Sequence, residues 1–203
     1  AVDYRTWVYV NGQFVGFHEG GHVSFSFDIT EALTWKTETI VVRVEDPSTE
    51  ETIPRGKQYW IEKSDAIWYT RTTGIWQTVW LEPVNQSRIS KLRMTPDLDN
   101  GDIIIELDVE GKLSNKKIDI EIFFKNEVVA NDTVQIYEKY TKRIINLYSH
   151  HIFRTSFHNS GWNWTPETPN LFDIRIALLD QELKLDEVQS YFGMRKIHAE
   201  KGM

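Results

Sequence analysis

Hydrophobic and polar positions alternate along most of this chain. Residues 6–10 alternate, Asn11-Gly12 follows, and residues 13–17 alternate again. Asn-Gly between two such runs predicts a β-hairpin, because both residues accept the positive φ of a type I′ turn. In residues 22–29, Val23, Phe25, Phe27 and Ile29 fall on one face and Ser24, Ser26 and Asp28 on the other, the pattern of a half-buried strand. One helical turn is predicted over residues 30–33, and further strands over 39–45 and 77–82. Residues 46–71 break the alternation with Pro47, Pro54 and the cationic run Arg55-Gly56-Lys57. A long loop on a β-scaffold is either disordered or functional. Tyr59, Trp60, Trp68 and Tyr69 predict that this one folds down onto something.

Past Pro83 the alternation becomes denser. Strands are predicted over 87–95, 102–110, 117–124, 127–138, 140–147, 172–179 and 183–192. Ile103, Ile105, Leu107 and Val109 share one face, as do Ile118, Ile120, Ile122 and Phe124. Asn100-Gly101 and Ser114-Asn115 mark turns between them. Seven such strands in roughly 110 residues predict an immunoglobulin-like sandwich. There is no long periodic helix, internal repeat or low-complexity tract.

Composition narrows the function. Of 203 residues, 40% are hydrophobic and 13% aromatic, enough for packed cores and against global disorder. The net charge of −7 argues against a nucleic-acid partner. With no cysteine, disulfides, thiolate zinc sites and cysteine nucleophiles are excluded. No apolar run is long enough for a helix that crosses a membrane, so no membrane partner is expected. The chain opens on Ala1 without a signal peptide, which favours the cytoplasm. His150, His151 and His158 fit no standard metal spacing, and neither metal nor cofactor is expected. Glu45-Asp46 and Glu50-Glu51 read as solvated charges, since adjacent side chains on extended backbone point apart.

The order of the motifs carries a resemblance. Trp7-Val8-Tyr9-Val10-Asn11-Gly12, Gly20-Gly21-His22, Phe25-Ser26-Phe27-Asp28-Ile29-Thr30 and Val42-Arg43-Val44-Glu45-Asp46-Pro47 come first. Gly74-Ile75-Trp76-Gln77-Thr78-Val79-Trp80-Leu81-Glu82 follows. Together they resemble the sugar-binding jelly roll of family 2 glycoside hydrolases, the group of β-galactosidases, β-glucuronidases and β-mannosidases. Pro54-Arg55-Gly56-Lys57-Gln58 resembles a variant in β-galactosidase-like members. The 164–172 stretch Trp-Thr-Pro-Glu-Thr-Pro-Asn-Leu-Phe and the 191–197 stretch Tyr-Phe-Gly-Met-Arg-Lys-Ile resemble the family's Ig-like domain. The resemblance implies an all-β chain: part of a jelly-roll sandwich over 1–84, an Ig-like sandwich over 85–197, and the start of a linker to a (β/α)₈ barrel over 198–203.

Family 2 enzymes are retaining glycosidases with two glutamates, an acid/base and a nucleophile, on that barrel. A barrel needs about 250 residues, and no position here matches either glutamate. The resemblance therefore implies a non-catalytic part, inactive alone, which braces the barrel and shapes its sugar pocket. Asp46 matches an aspartate that contacts sugar hydroxyls in β-galactosidases, and a carboxylate suits this by accepting several hydrogen bonds. Its other reading is a turn residue before Pro47. Arg55, Lys57 and Gln58 line the same cleft or contact the barrel; Asp46, Arg55 and Gln58 are the substrate-binding candidates. Glu45 stands where the best-known β-galactosidases have serine, so the sugar stays open. The family's jelly roll has strands ahead of residue 7, and an open sheet edge invites association. A homo-oligomer is expected, along with a carbohydrate substrate and the barrel as partners. The Trp162-Asn163-Trp164 group reads as one Trp packed in the Ig-like core and the other facing the neighbouring domain, with a glycan-stacking platform as the alternative. Two other readings of the chain stay open: a stand-alone carbohydrate-binding module and a structural Ig-like adhesion protein.

Overall fold

The structure is a computed structural model that describes residues 1–150, 153 and 161–199. It is all-β, and among the described residues no helix is long and apolar enough to cross a membrane. The chain divides into two compact units, Ala1–Leu81 and Glu82–Met203.

In the first unit, β2 (Arg5–Val10) pairs antiparallel with β3 (Gln13–Glu19) on one side and β4 (Ile40–Glu45) on the other. Val10 opposes Gln13, so Asn11-Gly12 is the two-residue turn that the dipeptide predicted. Both residues have positive φ, 52° and 83°, as a type I′ turn requires. Asn11 also organises the neighbouring loop. Its Nδ2 donates to the Ala32 carbonyl at 2.9 Å, and its Oδ1 accepts from the Thr39 amide at 3.0 Å. The same amide group bonds the Glu38 carboxylate, which also accepts from the backbone amides of Thr34 and Lys36. These donors, Asn11 first, hold the Glu38 carboxyl down at about 2. A second, two-stranded ladder joins β1 (Val2–Asp3) to β5 (Gly74–Ile75).

Two expected strands of this unit are absent. Residues 22–29 and 77–82 lie in no ladder: residue 22 belongs to a turn, 23 and 77 are bends, and the others are irregular. The reason is pairing: among the described residues, none from 22 to 27 or from 77 to 82 makes a backbone–backbone hydrogen bond. The facing inferred from alternation survives in 24–29, with Phe25, Phe27 and Ile29 half-buried and Ser24, Ser26 and Asp28 exposed. Phe25 stacks on His18 with centroids 4.2 Å apart, and Phe27 lies on Gly16, where an added Cβ would come within 2.3 Å of its ring. The helical turn is a 3₁₀ turn, Thr30–Ala32.

The second unit holds the seven expected strands, as β6 (Arg88–Asp97), β7 (Asp102–Glu110), β8 (Lys116–Phe124), β9 (Glu127–Gln135), β10 (Tyr140–Asn146), β11 (Phe172–Asp180) and β12 (Leu183–Phe192). They form a three-stranded sheet, β10-β7-β6, and a four-stranded sheet, β12-β11-β8-β9. Every other residue of β7 and β8, and of β11 as far as Leu178, is buried, and all of these but Lys116 form one core between the sheets. This is the two-sheet architecture that alternating inward residues produce. At the β6–β7 turn, Gly101 has φ +69°, and a Cβ there would sit 2.3 Å from the Tyr148 ring. The Tyr148 hydroxyl donates to the Leu98 carbonyl at 2.8 Å, tying that turn to the end of β10.

Candidate functional site

Asp46 is the first residue after β4, where the chain leaves the sheet for the long loop. Its backbone carbonyl accepts from the Ser48 amide at 2.9 Å, so it does start a turn. Its side chain is engaged elsewhere: Oδ2 accepts the Thr73 hydroxyl at 2.6 Å. Oδ1 has no protein partner among the described residues. Asp46 is half-buried and lines a narrow cleft with Asp3, Ser48, Arg55, Gln58 and Arg71. All three candidates from the sequence thus meet in one cleft.

The loop is built by side chains that bond its own backbone. Arg55 donates to the Ser48 carbonyl at 3.1 Å, and Arg71 to the Ser48 hydroxyl at 2.9 Å. Gln58 is the central tie. Its Nε2 donates to Asp3 Oδ2 at 2.9 Å, and its Oε1 accepts the Thr72 amide at 2.7 Å. Two backbone bonds, Tyr59 amide to Tyr69 carbonyl and Tyr69 amide to Lys57 carbonyl, both 2.8 Å, close the loop on itself. Three of the four aromatic residues pack on one another, whereas the Tyr69 ring is 66% exposed. Tyr59 and Trp68 stack at 6.1 Å with planes 8° apart, Trp60 packs edge-on to Trp68 at 5.1 Å, and the Arg55 guanidinium lies 5.5 Å from the Trp60 ring centre.

Two charged cleft residues escaped the sequence reading. Asp3 is buried on β1 and packs against Gly21, where a Cβ would meet Asp3 Oδ1 at 2.7 Å. Arg71 sits at the end of the loop. Neither belongs to a motif, and only the ladder between β1 and β5 brings Asp3 to the loop. The cleft lining therefore holds two carboxylates and two guanidiniums, each bonded to a neutral neighbour. Its free space is about 10 Å³, room for about one water molecule.

Other candidates separate from this site. Trp162 is buried in the second unit's core against Tyr148 and Phe153, each 5.1 Å away. Trp164 is half-buried under the Arg195 guanidinium, 5.0 Å from its ring centre. His151 and His158 lie outside the described residues, as do residues 200–203 of the expected linker. Among the described residues, no three His, Asp or Glu side chains are grouped to hold a metal.

Comparison with known proteins decides the family. The model for glycosyl hydrolases family 2 matches residues 87–195, more than half of the chain. The chain belongs to that family. A β-galactosidase of Thermoanaerobacter pseudethanolicus is 28% identical over 196 residues, which are 94% of this chain and 24% of that protein. A β-galactosidase of Pseudoalteromonas haloplanktis is also 28% identical over 196 residues, 18% of its length. The chain thus spans a quarter or less of these family 2 relatives. Among solved structures, a Bacteroides uniformis β-glucuronidase superposes with a TM-score of 0.71 at 21% identity, over 95% of this chain and 23% of that one. A Bacteroides vulgatus β-glycosidase gives 0.68 at 18%, over 97% of this chain and 23% of that one. These two share the fold.

Proposed function

We propose that this chain is the non-catalytic β part of a β-galactosidase-like family 2 enzyme that hydrolyses terminal β-glycosidic bonds with retention. The barrel of the same enzyme carries the two catalytic glutamates. Residues 1–84 and 85–197 are its sugar-binding and Ig-like domains, and they brace the barrel. Asp46 contacts sugar hydroxyls, Arg55 lines the same wall, and Gln58 holds the wall in place.

The observation that carries this reading is the state of Asp46. One carboxylate oxygen is fixed by Thr73 and the other is left without a protein partner at a cleft. A carboxylate so oriented is ready to accept from a ligand hydroxyl. The cleft itself is far smaller than the several hundred Å³ of an ordinary ligand pocket, so the rest of the sugar site is supplied by the barrel. Gln58 tests the wall role, because it bonds loop and β1 rather than a reacting atom. In the longer enzyme, Gln58→Ala is expected to raise KM for a nitrophenyl β-galactoside about three- to tenfold with kcat nearly unchanged. A fall in kcat at constant KM would contradict the wall role.

The same reading includes self-association. Val79, Trp80 and Leu81 are 67%, 67% and 69% exposed, and contiguous apolar exposure of that kind drives association. Sedimentation of the isolated chain should show mass rising with concentration, and replacing Trp80 by Ser should reduce it. A single monomeric species at all concentrations would overturn this point.

A further inference from the structure

The second unit carries a groove of about 660 Å³ that the sugar-cleaving reading does not use. It lies where β8 begins, β9 ends and β11 turns into β12, an end shared through the register pairs Lys116–Asp180 and Lys117–Gln135. Its polar lining is Ser114, Asn115, Gln135, Gln181, Lys117 and Tyr137.

The groove is firmly built around one residue. Lys116 is buried and bonds the Asp180 carboxylate. Its amide donates to the Leu113 carbonyl at 3.1 Å, and its carbonyl accepts the Ile136 amide at 3.0 Å and Gln135 Nε2 at 2.6 Å. The Gln181 amide donates to the Asn115 carbonyl at 3.4 Å, so three turns are tied together. Asn115 and Gln181 both hold left-handed backbone, φ 60° and 55°. Glutamine rarely adopts this conformation.

The lining is uncharged in effect. Lys117, the sole cation, is bonded by Glu182 at 3.1 Å. The side chains of Ser114, Asn115 and Gln181 have no partner among the described residues, and each offers both donor and acceptor. Tyr137 stands beside them 83% exposed, with its hydroxyl also unpartnered. Its ring is an apolar face with a polar tip at the rim of the groove. Amides and hydroxyls that both give and take hydrogen bonds, next to one bare ring, match a pyranose: its hydroxyls meet the amides and its C–H face meets the ring. Phosphates and acidic peptides need free cations, which the groove lacks.

We infer that this groove binds an uncharged oligosaccharide chain. The site is formed by the second unit alone and stands whether or not Asp46 meets a sugar.

The test is a titration of the ¹⁵N-labelled full chain with neutral hexasaccharides, namely galactohexaose, cellohexaose and xylohexaose, and with hexagalacturonate as a charged control. At least one neutral hexasaccharide is expected to shift the amide signals of Ser114, Asn115, Tyr137 and Gln181. Tyr137→Ala, which leaves the fold intact at so exposed a position, is expected to weaken that binding about tenfold or more. Three results overturn the inference: no shift of these signals by any neutral hexasaccharide up to about 10 mM, binding that survives Tyr137→Ala unchanged, or hexagalacturonate bound as tightly as the neutral chains.

Discussion

Replacing Phe172 by Ala is expected to lower the stability of the second unit by about 3–5 kcal/mol, the cost of emptying an aromatic site in a packed core. Phe172 is fully buried at the start of β11. It stacks on Phe192 at 5.1 Å with planes 7° apart, and it also meets Phe124 at 4.8 Å and Phe153 at 5.9 Å. One ring thus joins three different segments, and backbone ladders prevent the sheet from closing over the void. For a unit near 100 residues the loss corresponds to a fall in Tm of about 12–40 °C. Denaturant titration followed by tryptophan fluorescence reads it, because Trp162 packs against Phe153 in the same cluster. Lys142→Ala, exposed on β10, serves as the comparison, and surface positions of that kind change stability by about 0.5 kcal/mol or less. Equal midpoints for the two variants would contradict the packing described.

The second large effect concerns activity. In a family 2 enzyme carrying this chain ahead of its barrel, Asp46→Ala is expected to lower kcat/KM for a β-galactoside about 10- to 100-fold. That is the worth of one or two hydrogen bonds to a charged acceptor, about 1.5–3 kcal/mol. Folding should be little changed, since Asp46 is half-buried and its side chain bonds only the Thr73 hydroxyl. Thr73→Val should give a smaller loss, because it removes the group that orients the carboxylate and leaves the carboxylate in place. Steady-state kinetics separate the two. An Asp46→Ala enzyme within twofold of the parent would show that the carboxylate is a turn residue only.

The legibility of the two units in the sequence differs for a physical reason. In the second, alternation fell on strands buried on one face and paired along their length, so Ile103 through Val109 and Ile118 through Phe124 announced both strand and core. In the first, residues 22–29 show the same alternation and no ladder. Periodicity reports which way side chains face, whereas a strand also needs a partner, and no single segment encodes its partner. The same limit governs the cleft. Asp46, Arg55 and Gln58 were reachable because motif order surrounds them. Asp3 and Arg71 come to the cleft through a two-residue ladder and a loop closure, which leave no pattern in the chain. The role of Gln58 was visible only in three dimensions, where both ends of its amide are bonded to the protein.

The central claim is that this chain supplies binding surface and no catalytic group. Hydrolysis of 4-nitrophenyl β-D-galactopyranoside, followed with the purified chain and with the same chain joined to its proposed barrel, tests that claim most directly. The account predicts saturable turnover by the joined protein and none above buffer for the chain alone. Saturable turnover by the chain alone, lost on replacing one of its own carboxylates, would contradict it.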